Sequence, residues 1–102
     1  MVSKVLPEIT AMEAESVASK FLADNLPDRF TAGEPRLDAG GETWRVPVLL
    51  AFPVLGPVGT VGEIVIGTDS KRIVSHSPIQ VIQEAASRVY EEHRKEIEAI
   101  VL

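Results

Sequence analysis

The 102-residue chain has no cysteine. Disulfide staples, thiolate metal sites and thiol nucleophiles are thereby excluded. Aromatic residues make up only 5% of it, and its single Trp is Trp44. Basic residues are scattered and number 10 against 15 acidic ones, a formal net charge of −5. No basic stripe or aromatic-basic platform for DNA or RNA is present. No apolar stretch approaches membrane-spanning length, and Pro7 interrupts the short apolar pair near the start, so no signal-peptide core forms. The expectation is a cytoplasmic protein. Internal repeats, low-complexity segments and domain linkers are also missing.

What remains is ordinary for a soluble globular chain: 45% hydrophobic and 25% charged residues. That is enough for one self-sufficient core. The expectation is a single α+β domain over residues 1–102, with residues 1–9 as a flexible arm from which Val5, Leu6 and Ile9 could dock on the body.

The chain is organised around Trp44–Phe52. Trp44, Val46, Val48, Leu50 and Phe52 recur at period two, so an extended chain turns all five one way. Pro47 lies inside this run and cannot donate to a ladder, which demands an edge position or a bulge. The segment 53–60 is rich in Gly and Pro and reads as a hairpin connection. A partner strand follows over 61–67, with Ile64 and Ile66 on one face and Val61, Glu63 and Val65 on the other. Residues 68–72 are a polar turn, and Ile73–His76 a third short strand. Residues 27–43 read as loop, with Phe30 as an anchor, a short edge strand within Pro35–Ala39 and a tight turn at Gly40-Gly41.

Two helices flank the sheet. Thr10-Ala11-Met12-Glu13 fits the reciprocal S/T-x-x-E cap. Behind it Ala14, Val17, Ala18, Phe21, Leu22 and Leu26 recur at helical spacing, and Pro27 stops the helix, which predicts residues 11–26. Ser77-Pro78-Ile79-Gln80 reads as a second capping box. From it a stripe through Ile82, Ala86, Val89, His93 and Ile97 predicts one helix to the chain end, about 35 Å long at 1.5 Å per residue. The fold expected is an antiparallel sheet of three or four strands against an N-terminal and a long C-terminal helix. Trp44, Val46, Val48, Leu50, Phe52, Ile64, Ile66, Phe21 and Leu22 should share its core.

No motif carries chemistry. Gly56, Gly59 and Gly62 lack the lysine and the following helix of a phosphate loop, and read instead as a loop needing unusual dihedrals. His76 reads as a turn residue and His93 as a buried or interface side chain, without converging metal ligands. Glu63 belongs on the solvent face of its strand, apart from Asp69. The expectation is a non-enzyme with no cofactor and no metal site.

The segments AESVASKFL, WRV and VGEIVIGTDSKRIVSH, in that order, resemble the PepSY-type domain over residues 10–76. Trp44, Val46, Ile64, Ile66 and Ile73 fall on its pattern. The resemblance implies a helix on an antiparallel sheet and an inhibitory or binding role, and it carries over no catalytic residue. Gly67 stands where that family tends to have Asp and Lys71 where it tends to have Gly. The turn should therefore differ, because Lys avoids positive φ.

The function expected is a small non-catalytic protein-binding or regulatory module. The alternative is a small-ligand-binding protein or enzyme with a pocket between sheet and helix. The helix overhanging the sheet, and an apolar second sheet face, point to a homodimer or a protein partner rather than nucleic acid or membrane. The expected interface comprises Leu49, Ala51, Val61, Val65, His93, Ile97, Ile100 and Val101. The acidic balance predicts that the protein fails to retain generic double-stranded DNA at physiological salt. Fluorescence anisotropy should give no dissociation constant tighter than about 1 µM, the tight end of ordinary non-specific binding.

Overall fold

The computed structural model describes residues 8–101, and the expectations for Val5, Leu6 and Leu102 lie outside them. Helix α1 spans Ala11–Asn25; strands β1 to β5 span Phe30–Ala32, Arg36–Leu37, Thr43–Phe52, Gly56–Gly67 and Ile73–His76; helices α2 and α3 span Ile79–Glu92 and Arg94–Val101. The five strands form one antiparallel sheet in the order β1-β3-β4-β5, with β2 also paired to β3. The class is α+β, as the residue pattern implies.

The first helix starts where its cap says. The Glu13 amide donates to Thr10 Oγ1 at 3.1 Å, and the Thr10 amide donates to Glu13 Oε1 at 2.8 Å. The Thr10 amide, and next the nearby Lys71 ammonium, hold the Glu13 carboxyl below its usual range. Leu26 turns extended before Pro27. Glu8 and Ile9 are not a free arm. Both amides donate to the Thr68 carbonyl, at 2.9 and 3.2 Å, and the Trp44 indole N–H donates to the Ile9 carbonyl at 3.1 Å. Ile9 is buried, next to the capped helix start. Thr68 joins this to the β2–β3 turn, since its hydroxyl reaches the carbonyls of Gly41 and Glu42 at 3.1 Å each.

All nine residues expected in one core lie there: Val46, Val48, Leu50, Ile64, Ile66 and Leu22 buried, Phe21, Trp44 and Phe52 packed against them. Pro47 sits in a central strand, not at an edge. Its carbonyl accepts from the Gly33 amide at 2.8 Å, so its nitrogen faces the same way, toward the break between β1 and β2. The missing donor thus falls where residues 33–35 leave the ladder. Gly33 crosses close above: a Cβ there would stand 2.8 Å from the Pro47 ring. Three-residue β1 is too short for periodicity to reveal.

Strand β4 starts five residues earlier than its composition suggests. The turn is only Pro53-Val54-Leu55, and Gly56 is the one glycine of the three with positive φ, +81°. Val48 pairs with Gly62 and Leu49 with Thr60, which leaves Val61 as an extra residue. Strict alternation would put Gly59 and Gly62 on opposite faces. The bulge turns both toward α2. A Cβ at Gly62 would lie 2.8 Å from Ile82 Cγ1, and one at Gly59 would lie 3.0 Å from Val89 Cγ1. The spacings agree: seven helical residues rise about 10.5 Å and three strand residues about 10 Å. Val61 itself is buried in the core, not on the second face.

Three further expectations need correction. Ser77 does not cap α2. Its hydroxyl accepts from the Glu63 amide at 2.9 Å and its amide donates to the Glu63 carbonyl at 2.9 Å, so it extends the β4–β5 pairing, while Pro78 takes the cap position without a side-chain bond. The C-terminal helix is not continuous. At His93 (φ −115°, ψ 18°) the backbone N–H is shared between the Val89 and Tyr90 carbonyls, both at 3.1 Å, and α3 starts afresh. On α3, Ile97 is 1% exposed. Lys71 does adopt positive φ, +60°, where the resemblance has Gly. Its ammonium reaches Glu13 at 3.5 Å, an exposed pair of small worth.

Val48 is fully buried, whereas Glu63 is half-buried beside Arg45 at 2.9 Å. Val48→Asp should abolish the cooperative unfolding transition, because an unpaired buried carboxylate costs several kcal/mol. Glu63→Ala should move the urea midpoint little; a folded Val48→Asp protein would refute the assignment of this strand face. Gly62→Ala should destabilise by about 1–3 kcal/mol through overpacking against Ile82. Gly40→Ala, whose nearest neighbour would be 3.9 Å away, is the control and should be near neutral in the same denaturation series.

Candidate functional site

A groove of about 460 Å³ lies between α2 and the outer half of the sheet. Phe30 of β1 and Leu50 and Phe52 of β3 supply its sheet side; Ala86, Ser87 and Tyr90 of α2 supply the other. Pro27 and Arg29, in the connection that leaves α1, close one end. The register explains the sheet side. Phe30 pairs with Leu50, so both point to the helix-bearing face, and Phe52 follows two residues on. The Ala51 amide donates to the Arg29 carbonyl at 2.8 Å, which extends that ladder and fixes Arg29 beside Phe52.

The Arg29 guanidinium carbon lies 5.3 Å from the centre of the Phe52 ring. Phe52 in turn meets Tyr90 at 6.2 Å between centroids, inclined at 52°. Such cation–π and tilted aromatic contacts each contribute roughly 0.5–1.5 kcal/mol. Arg29 has no ion-pair partner among the described residues. Across the groove Glu91 pairs with Arg94 at 3.6 Å. The Tyr90 hydroxyl is turned to Glu98 at 3.4 Å. The lining includes no histidine, lysine or cysteine, and its ionisable side chains are Arg29, Tyr90 and Glu91. Chemically the groove offers apolar and aromatic surface with one cation on the rim.

The residues that the sequence assigned to an interface do not converge. Leu49 and Ala51 lie half-buried on the sheet face away from the core. Val65, paired with Arg45 on that face, is buried, and Val61 is in the core. His93 marks the α2–α3 break, with Nδ1 2.9 Å from Glu96 Oε1. Ile97 is buried and Ile100 is 43% exposed on α3; the side chain of Val101 lies outside the described residues. His76 is more than a turn residue. It ends β5, and its ring meets that of Phe21 at 4.6 Å between centroids, inclined at 46°. Glu63 is held by Arg45 and lies four strand residues, about 13 Å, from the end of β4 that leads to Asp69.

Asp38 is the clearest titrating group. The Thr43 hydroxyl first, and the amides of Glu42, Thr43 and Gly41 with it, hold its carboxyl below the usual range. A depressed folded-state value favours folding above the unfolded one, and that contribution is lost as pH falls through the folded value. Its role is to tie the β2–β3 turn.

Among the described residues, no group of three or more His, Asp or Glu side chains could hold a metal ion. No helix there is long and apolar enough to cross a membrane. No family model, curated protein or solved structure matches the chain.

Proposed function

We propose that the protein is a small non-catalytic binding or regulatory module, PepSY-like in build, that receives an apolar segment of a partner protein or of a second copy. The observation that carries this is the groove, with Phe30, Leu50, Phe52, Ala86 and Tyr90 presenting apolar and aromatic surface in an open trough. Open apolar troughs beside a helix suit peptide segments, whereas catalysis needs several polar groups converging on one point. The PepSY-like reading is supported by chain order and by Trp44, Val46, Ile64, Ile66 and Ile73. All five pack in or against the core, as the resemblance requires. The expected compartment is the cytoplasm.

The groove volume also lies within the range of small-molecule sites, roughly 300–1,000 Å³. A small-ligand carrier is therefore the second reading. Panning a displayed peptide library decides between them. The wild type should select peptides with a large apolar anchor, and Ser87→Trp, which fills the groove from an exposed position, should lose them while keeping its thermal midpoint. Failure to enrich any peptide sensitive to Ser87→Trp, together with stabilisation by small apolar compounds in a thermal-shift screen, would favour the carrier.

A further inference from the structure

The β3–β4 hairpin ends in a way that a solvated turn does not. From Val46 to Gly62, seventeen consecutive residues carry no charge. The turn at their centre is Pro53-Val54-Leu55, where hairpins ordinarily place Asn, Asp or Gly. Val54 is 90% exposed, and Pro53 and Pro57 beside it are exposed as well. The Leu55 amide donates to the Pro53 carbonyl at 2.7 Å, which closes a three-residue turn with Val54 at φ +71°. A β-branched residue in that region is a genuine outlier, so this turn is strained. The result is an apolar knob standing clear of its own fold.

The knob is next to the groove. Phe52 lines the groove, and the following residue begins the turn. We infer that the groove's occupant is the Pro53-Val54-Leu55 turn of a second copy of this chain, inserted reciprocally in a two-fold dimer. This rests on the module reading above and names its partner. Knob and hole are contiguous on one strand, so a single two-fold axis beside the hairpin end places each knob in the other's hole at once. The rim charges fit the same axis. Arg29, unpaired among the described residues, and Glu91, on the opposite side of the groove and held at 3.6 Å by an exposed Arg94, give the groove lining one charge of each sign, and a two-fold axis between them brings unlike charges together. A membrane surface is the less favoured occupant of the knob, because no Lys or Arg lies between Val46 and Gly62 to meet anionic headgroups.

The test is sedimentation equilibrium with site-directed cross-linking. At concentrations on the order of tens of micromolar the wild type should sediment as twice its 11.1 kDa mass. Val54→Asp, at an exposed tip that leaves the fold intact by circular dichroism, should raise the dimer dissociation constant about tenfold or more. Val54→Cys protein mixed with Ser87→Cys protein under oxidised glutathione should give the mixed disulfide in preference to either symmetric one. The chain has no other cysteine to confuse the result. A wild type that stays monomeric overturns the proposal, as does a dimer indifferent to Val54→Asp, or Val54-dependent sedimentation with anionic phosphatidylserine vesicles. A monomeric wild type that still selects peptides sensitive to Ser87→Trp overturns the second-copy occupant alone and leaves the module reading standing.

Discussion

The one contact on which most of the fold depends is the close approach of α2 to β4 over Gly59 and Gly62. A helix lies this near a strand only where Cβ atoms are absent, and the strand offers two such places on one face only because Val61 bulges. Three consequences follow from that one extra residue. Ile82 and Val89 reach the sheet backbone, Val61 turns into the core, and the outer part of α2 is set over Leu50 and Phe52. The groove is what remains between that part of α2 and the loop leaving α1. Without the bulge, alternation would send one of the glycines to solvent and lift the helix away by a side-chain diameter.

At the other end of the sheet the organising contacts are polar. Trp44, Thr68 and the backbone of Glu8 and Ile9 close a small network that holds the start of α1 against β3 and β4. None of these bonds is strong by itself, since a net hydrogen bond contributes about 0.5–1.5 kcal/mol. Together they satisfy the carbonyls of Ile9, Gly41, Glu42 and Thr68 and the buried Thr68 hydroxyl.

Much of this was legible in the residues. The start and stop of α1 follow from a reciprocal cap and a proline, both local signals. The inward face of β3 follows from period two. The misreadings share a cause: a residue type with a local meaning was used for a distant contact. Gly59 and Gly62 look like loop residues and are strand positions that admit a helix. Ser77 looks like a helix cap, yet Glu63, far off in sequence, claims its hydroxyl. His93 carries no breaker signal, yet the helix ends there. Lys71 shows the reverse case, a local preference overridden by its surroundings. The groove was the least legible feature. It is assembled from three separate segments, and Phe30, Leu50 and Ala86 each read as core in isolation.

The proline in the middle of β3 has one more effect. Opposite it the sheet's first edge is broken into three residues and two, and on the far side β5 is four residues long with an irregularity near Val74. Neither margin offers another polypeptide a long row of unpaired amides and carbonyls to zip onto. Uninterrupted margins of that kind are the templates for amyloid growth and runaway sheet extension. This protein leaves its most apolar strand pair in the interior and keeps both borders too short to propagate.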